Sequence, residues 1–140
     1  MSNKNIKTVA DVMDADFLIV DGIVTVTEAL EHMCSANIDF LLVDKRNEHD
    51  EHGIVLVSDI AKRVLAPNLS PDRVNVYEIM TKPVLSVRPD MNIRYCARLF
   101  ERFGVSTAPV VKDGEVLGVV TYTRLVLKGL AAGYPVIKTD

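Results

Sequence analysis

Apolar residues along the chain follow two rhythms, and each rhythm occurs twice. Val26, Ala29, Leu30 and Met33 recur at the i, i+3, i+4, i+7 spacing of a helix with one buried face, and Ile93, Cys96, Ala97 and Phe100 repeat that spacing. A short apolar run precedes each helix, Phe17 to Val20 and Val84 to Val87, and predicts a strand. Two further runs follow each helix and predict hairpins: Phe40 to Val43 with Ile54 to Val57, and Thr107 to Val111 with Val116 to Thr121. The Asp113–Gly114 pair is a strong turn signal for the second hairpin. Thr25 stands three residues before Glu28, the spacing of a capping box, and Asp90 after Pro89 is the expected cap of the second long helix. A closing helix is expected after Ser58 and another after Thr123, the latter stopped by Gly133 and Pro135.

The two rhythms are copies of one unit. Thr8–Met13 matches Asn75–Met80 at a separation of 67 residues, and Val20 with Val87, Met33 with Phe100 and Val43 with Val110 keep that separation. From Gly53 and Gly118 onward it falls to 65, so two extra residues sit between Asp44 and Gly53. The expected fold is α/β (α+β), two β-α-β-β-α repeats at residues 8–67 and 75–133 with Pro67–Asp72 as the linker. About 60 residues cannot cover the apolar surface of such a repeat, so the two are expected to pack as a pseudo-twofold pair with ligand-sized clefts at the seam.

Composition narrows the function. Of 140 residues 49% are hydrophobic and 25% charged, with a net charge of −3, which suits a globular domain with a full core. Lys and Arg are scattered singly, so there is no footprint for nucleic acid. The longest uncharged runs, Phe103–Val111 and Gly129–Ile137, fall well short of the roughly 18 residues of a membrane span, so no membrane partner is expected. The polar stretch Met1–Lys7 has no apolar core of a secretory signal, which points to the cytoplasm. Cys34 and Cys96 lie far apart on predicted apolar helix faces and read as small core residues, not as a disulfide or zinc site. Leu125, Val126 and Leu130 are expected to leave apolar surface for a homodimer.

Chemistry concentrates at Gly53–Ile60, where a strand runs directly into a helix. Gly53 permits close approach, Ser58 supplies a hydroxyl at the expected cap position, and the first-turn amides favour an anion such as phosphate. Asp59 would repel that phosphate unless it faces a neutral diol such as the ribose hydroxyls. A plain helix cap at Ser58 and a dipole-favoured acid at Asp59 also explain the segment. The Asn47–His52 stretch, with two His and three acids, has the residue types of a hard metal site but reads as a solvated loop tip. His32 reads as surface, and Met33 and Met80 as core filler.

The doubled pattern, together with Ile79–Val84, Val105–Val111 and Gly53–Ile60, resembles a tandem pair of cystathionine-β-synthase (CBS) domains, the Bateman module, over about Thr8 to Ala132. The resemblance implies a regulatory, signal-transducing module that binds an adenine nucleotide (AMP, ADP or ATP) or S-adenosylmethionine between the repeats. It also implies two modules stacked as a homodimer and an effector protein to receive the signal. Carried over by position, the binding residues are Ile54, Leu56, Ser58 and Asp59 with Thr81, Pro83, Val84, Val105, Ser106 and Thr107. The apolar members would hold adenine, Asp59 the diol, and Ser58 phosphate. The second cleft departs from the pattern: Arg124 stands where Asp59 does, facing Asp14, Asp16 and Asp39, and is expected to pair with one of those acids. No nucleophile and base pair, catalytic carboxylate pair or P-loop is present, so no enzyme activity is expected. The alternative is a structural pair that mediates homodimerisation or partner association without nucleotide.

Overall fold

A computed structural model describes residues 7–83 and 85–131. The expected helix stop at Gly133 and Pro135 lies outside these residues, as do Val84 and nearly all of Met1–Lys7. The chain forms two compact units, one of Phe17–Pro83 and one combining Met1–Asp16 with Val84–Asp140. Mixed α/β structure with two small sheets is observed, but the units are cut differently from the sequence repeats.

In the Phe17–Pro83 unit, β1 (Ile19–Val20) pairs parallel with β2 (Phe40–Val43), which pairs antiparallel with β3 (Gly53–Leu56). Helix α2 (Val26–Ala36) starts at Thr25, whose hydroxyl accepts from the Glu28 N–H at 3.1 Å. It ends at Asn37 in the left-handed region with φ 54°. Helix α3 (Val57–Ile60) continues without a break into a π-helical stretch, Ala61–Leu65, and after a linker comes α4 (Val76–Ile79). The core gathers Val26, Ala29 and Met33 from α2, Leu41, Val43 and Val55 from the sheet, and Val76 and Ile79 from α4.

The other unit repeats this plan. Helix α5 (Ile93–Phe103) ends at Gly104 with φ 67°, the position equivalent to Asn37, and β4 (Thr107–Lys112) pairs antiparallel with β5 (Glu115–Thr121). Helix α6 (Tyr122–Arg124) again runs on as a π-helical stretch, Leu125–Leu130. The wide turn recurs at the repeat separation: Ala66 N–H donates to Ala61 C=O at 2.9 Å and Ala131 N–H to Val126 C=O at 2.8 Å. The core holds Cys96 and Phe100 from α5, Ala108, Val110 and Val120 from the sheet, Leu125, and Val9 and Val12 from α1 (Val9–Val12).

The short helices therefore cross over. Each precedes one repeat in sequence yet fills the core of the other, α1 with the second copy and α4 with the first. Backbone hydrogen bonds fix both exchanges. Val76 N–H donates to Val24 C=O and Val9 N–H to Met91 C=O, each at 2.8 Å. Close packing behind the helices demands glycine: a Cβ on Gly118 would lie 2.8 Å from the Asp14 carbonyl and 2.7 Å from Met13 Sδ, while one on Gly53 would collide with Met80 Sδ.

Several local expectations are corrected. The strand expected at Val84–Val87 reduces, among the described residues, to a single bridge between Val87 and Val110. In the first unit Leu42 N–H donates to Leu18 C=O at this place, whereas Pro109, at the equivalent position, has no N–H to give. The cap of α5 is Asn92, accepting from Arg94 N–H at 2.8 Å, and not Asp90, which faces Arg88 Nε at 3.2 Å. Cys96 is buried as expected, but Cys34 is exposed because it falls beside the apolar stripe of α2. Leu125 belongs to the core, while Val126 and Leu130 are exposed.

Candidate functional site

At the β3–α3 junction the helix begins earlier than the sequence suggests. Leu56 is the N-cap, so Ser58 lies inside the first turn and does not cap it. Leu56 has no side-chain acceptor, and Asp59 compensates: its Oδ2 accepts the Leu56 N–H at 2.8 Å. The Val57 N–H goes to the Asp39 carbonyl at 3.1 Å. Among the described residues, no partner outside the helix takes the amides of Ser58 and Asp59, the next two of the four that a helix start leaves open. Asp59 Oδ1 accepts no hydrogen bond among the described residues.

The equivalent junction in the other unit solves the same problem from the opposite end. Thr121 is the N-cap, and its hydroxyl accepts the Arg124 N–H at 3.1 Å. With the cap so satisfied, position 124 needs no acid. The Arg124 side chain turns to α1, where Nε donates to Val12 C=O at 2.8 Å and Nη2 to Met13 C=O at 3.0 Å. These are C-terminal carbonyls of a short helix, a natural seat for a cation. The expected ion pair of Arg124 with Asp14, Asp16 or Asp39 is not found among the described residues, and backbone carbonyls take its place. In the Phe17–Pro83 unit Arg63 reaches Ile79 C=O, the counterpart of Val12, through Nη1 at 3.4 Å.

The candidate residues divide between the units. Ile54, Leu56, Ser58, Asp59, Thr81 and Pro83 belong to one. Thr81 extends the sheet beside β3, exchanging backbone hydrogen bonds with Ile54 at 2.8 and 3.0 Å, and Asp14 does the same with Val119 in the other unit. Ile54 is buried, Leu56, Asp59, Thr81 and Pro83 are half-buried, and Ser58 is exposed. Val105, Ser106 and Thr107 belong to the second unit, where Ser106 C=O accepts the Tyr122 N–H at 3.1 Å and Thr107 pairs with Thr121.

Residues not singled out from sequence complete the neighbourhood. Lys82, between Thr81 and Pro83, donates from Nζ to Asp50 Oδ1 at 3.0 Å and to the Glu51 carbonyl. Asp50 also accepts the Arg46 N–H at 3.0 Å. The Arg46 amide first, and then the Lys82 ammonium, hold the Asp50 carboxyl far below the usual carboxylate range. The two extra loop residues were the signal for this contact. His52 Nε2 faces Asp44 at 3.6 Å, and no group of three or more His, Cys, Asp or Glu poised for a metal occurs among the described residues. No helix of the described residues is long and apolar enough to cross a membrane.

A family profile for the CBS domain matches residues 76–129. The hexameric CBS-CP12 protein of bloom-forming cyanobacteria is 30% identical, with a TM-score of 0.86, over 94% of this chain and 77% of that one. The CBS domain pair of protein MJ0100, solved in complex with 5-methylthioadenosine and S-adenosyl-L-methionine, is 28% identical with a TM-score of 0.75, over 91% of this chain and 98% of that one. A protein of Methanocaldococcus jannaschii is 26% identical over 110 residues, 78% of this chain. The chain spans 59%, 39% and 22% of the lengths of three curated relatives, the last a homoserine O-acetyltransferase of Methanosalsum zhilinae, 32% identical over 81% of this chain.

Proposed function

Because the chain belongs to the family of proteins built on paired CBS domains, we propose that it is a regulatory module that senses an adenosyl ligand and performs no chemistry on it. The observation that carries this reading is the state of Asp59. One carboxylate oxygen is fixed by the Leu56 amide, and the other is left to accept from a diol. The first-turn amides of Ser58 and Asp59 and the Ser58 hydroxyl lie in the same turn and suit phosphate. Ile54, Leu56 and Pro83 offer apolar surface for adenine, and the segment bridged to β3 at Thr81 carries backbone groups that can read its edge. The complex of MJ0100 with two adenosyl compounds supports the ligand class, and an adenine nucleotide of the AMP, ADP or ATP class is the ligand we assign first. The likeness to the acetyltransferase covers about a fifth of that enzyme and carries no acyl transfer to this chain.

Self-association is part of the proposal. On α6 and the π-helical stretch that continues it Tyr122, Val126, Leu127 and Leu130 are exposed, an apolar set that a homodimer would cover. A structural pair without nucleotide is the second reading, favoured by the fact that the Leu56 bond alone gives Asp59 a reason to be acidic.

Asp59→Asn separates the two readings. The amide oxygen still accepts the Leu56 N–H, but the NH2 group then faces outward and cannot accept from a diol. Thermal unfolding with AMP, ADP, ATP and S-adenosyl-L-methionine should show stabilisation of about 2.7 kcal/mol at a hundredfold excess over Kd. Asp59→Asn should abolish that gain with little change in the unliganded midpoint. No stabilisation of the wild type by any of the four would leave the structural pair.

A further inference from the structure

The loop between β2 and β3 is longer than its counterpart between β4 and β5 and makes a contact that the counterpart does not. Lys82 leaves the Thr81–Pro83 segment and inserts its ammonium between Asp50 Oδ1, at 3.0 Å, and the Glu51 carbonyl. Asp50 is itself held in place, accepting the Arg46 N–H at 3.0 Å with the Arg46 guanidinium 3.6 Å away, and its side chain is only 17% exposed. In the other unit the position equivalent to Lys82 is Ala15, which has no ammonium to donate, and the hairpin closes in a tight Asp113–Gly114 turn. The latch is therefore present in the unit that carries Asp59 and absent from the unit that carries Arg124.

Its consequence falls on the segment it grips. Among the described residues Thr81 is tied to β3 only at Ile54, by one isolated bridge of two hydrogen bonds. A single bridge at a sheet edge opens easily. Lys82 adds a second, charge-assisted tie one residue later, fixing both the register and the direction of the chain as it passes Pro83. We propose that Lys82 and Asp50 are positioning residues that hold the Thr81–Pro83 segment against β3 in the conformation that reads the adenosyl ligand, and that the two-residue extension of the loop exists to place Asp50 there. The proposal rests on the adenosyl reading above. It makes the loop part of the ligand apparatus without any contact to the ligand.

The test uses hydrogen exchange at the Thr81 amide together with the dissociation constants of AMP and S-adenosyl-L-methionine, for the wild type, Lys82→Gln, Asp50→Asn and Lys82→Arg. In Lys82→Gln and Asp50→Asn the Thr81 amide should exchange at least tenfold faster and Kd should rise by about tenfold, in protein that stays folded at neutral pH. Lys82→Arg, which can still bridge Asp50, should restore most of both. Unchanged exchange would overturn the latch. Faster exchange with unchanged Kd would overturn its positioning role and leave a surface ion pair. Wild-type protein that binds neither these two compounds nor ADP or ATP would strike the adenosyl reading and this proposal together, an outcome distinct from the other two.

Discussion

Arg124→Met tests the reading of Arg124 as a structural clamp. The wild-type guanidinium makes two hydrogen bonds, to Val12 C=O at 2.8 Å and Met13 C=O at 3.0 Å, and it is half-buried. Hydrogen bonds to a charged group contribute about 1.5–3 kcal/mol each. The lower end applies here, because water can reach part of the site and a flexible Met stem keeps the packing. Loss of both bonds should cost about 2–3 kcal/mol, a fall of roughly 6–12 °C in the unfolding midpoint for a domain of this size. Arg63→Met is the control: its single contact to Ile79 C=O is 3.4 Å long and its residue is exposed, so about 0.5 kcal/mol or less is expected. Urea unfolding monitored by circular dichroism gives both values, with slopes expected to stay equal. If the two variants lose the same stability, Arg124 is not the clamp of α1. A ligand contact would then be the better account of its position.

Isothermal calorimetry with the nucleotide that binds should give about one site per chain, since Arg124 is committed to carbonyls and offers no acceptor to a diol; two equal sites would refute this. The Asp50 carboxyl is depressed in the folded chain, so its contribution is present above the ordinary carboxylate range near pH 4 and is lost as pH falls through that range and below it. Acid titration should show Asp50→Asn less sensitive than the wild type between about pH 4 and 2, and parallel curves would remove the effect. Burial pushes the Cys96 thiol up to about 11, so a thiol reagent at pH 8 should label exposed Cys34 at once and Cys96 only on unfolding. Equal labelling rates would contradict the burial.

Much of the fold was legible because a repeat is a pattern of residue types, and the offsets of 67 and 65 carried through to the details. Asn37 and Gly104, Ile54 and Val119, and Thr81 and Asp14 play equivalent parts at those separations. The exchange of α1 and α4 was not legible, since Val9, Val12, Val76 and Ile79 show only that each short helix has an apolar side, not which core it enters. Arg124 was misassigned for a related reason. Its partners are main-chain carbonyls, which leave no mark in the residue pattern, whereas nearby acids do. The cap lies not at Ser58 but at Leu56, a residue without a side-chain acceptor whose own amide is taken by the acid three residues on. Pro109 could have been read in advance as the residue that shortens the strand expected at Val84–Val87.

The crossed short helices also make the second unit discontinuous, and this bears on how the chain folds. Phe17–Pro83 is a single stretch, whereas its partner is assembled from segments on either side of it. To seat α1 beside α5 and β5, the chain must close a loop of about 67 residues, an entropic cost of roughly 4 kcal/mol for a flexible segment plus a length-independent term. Folding Phe17–Pro83 first removes most of that freedom, so the continuous unit should form early and the discontinuous one later, on a preformed tether. A fragment spanning 17–83 should then hold more structure than one spanning 84–131, which lacks Val9 and Val12. Adding a peptide of residues 7–16 to the second fragment, and finding structure gained in proportion to peptide bound, would show that the first residues of the chain complete the last unit to fold.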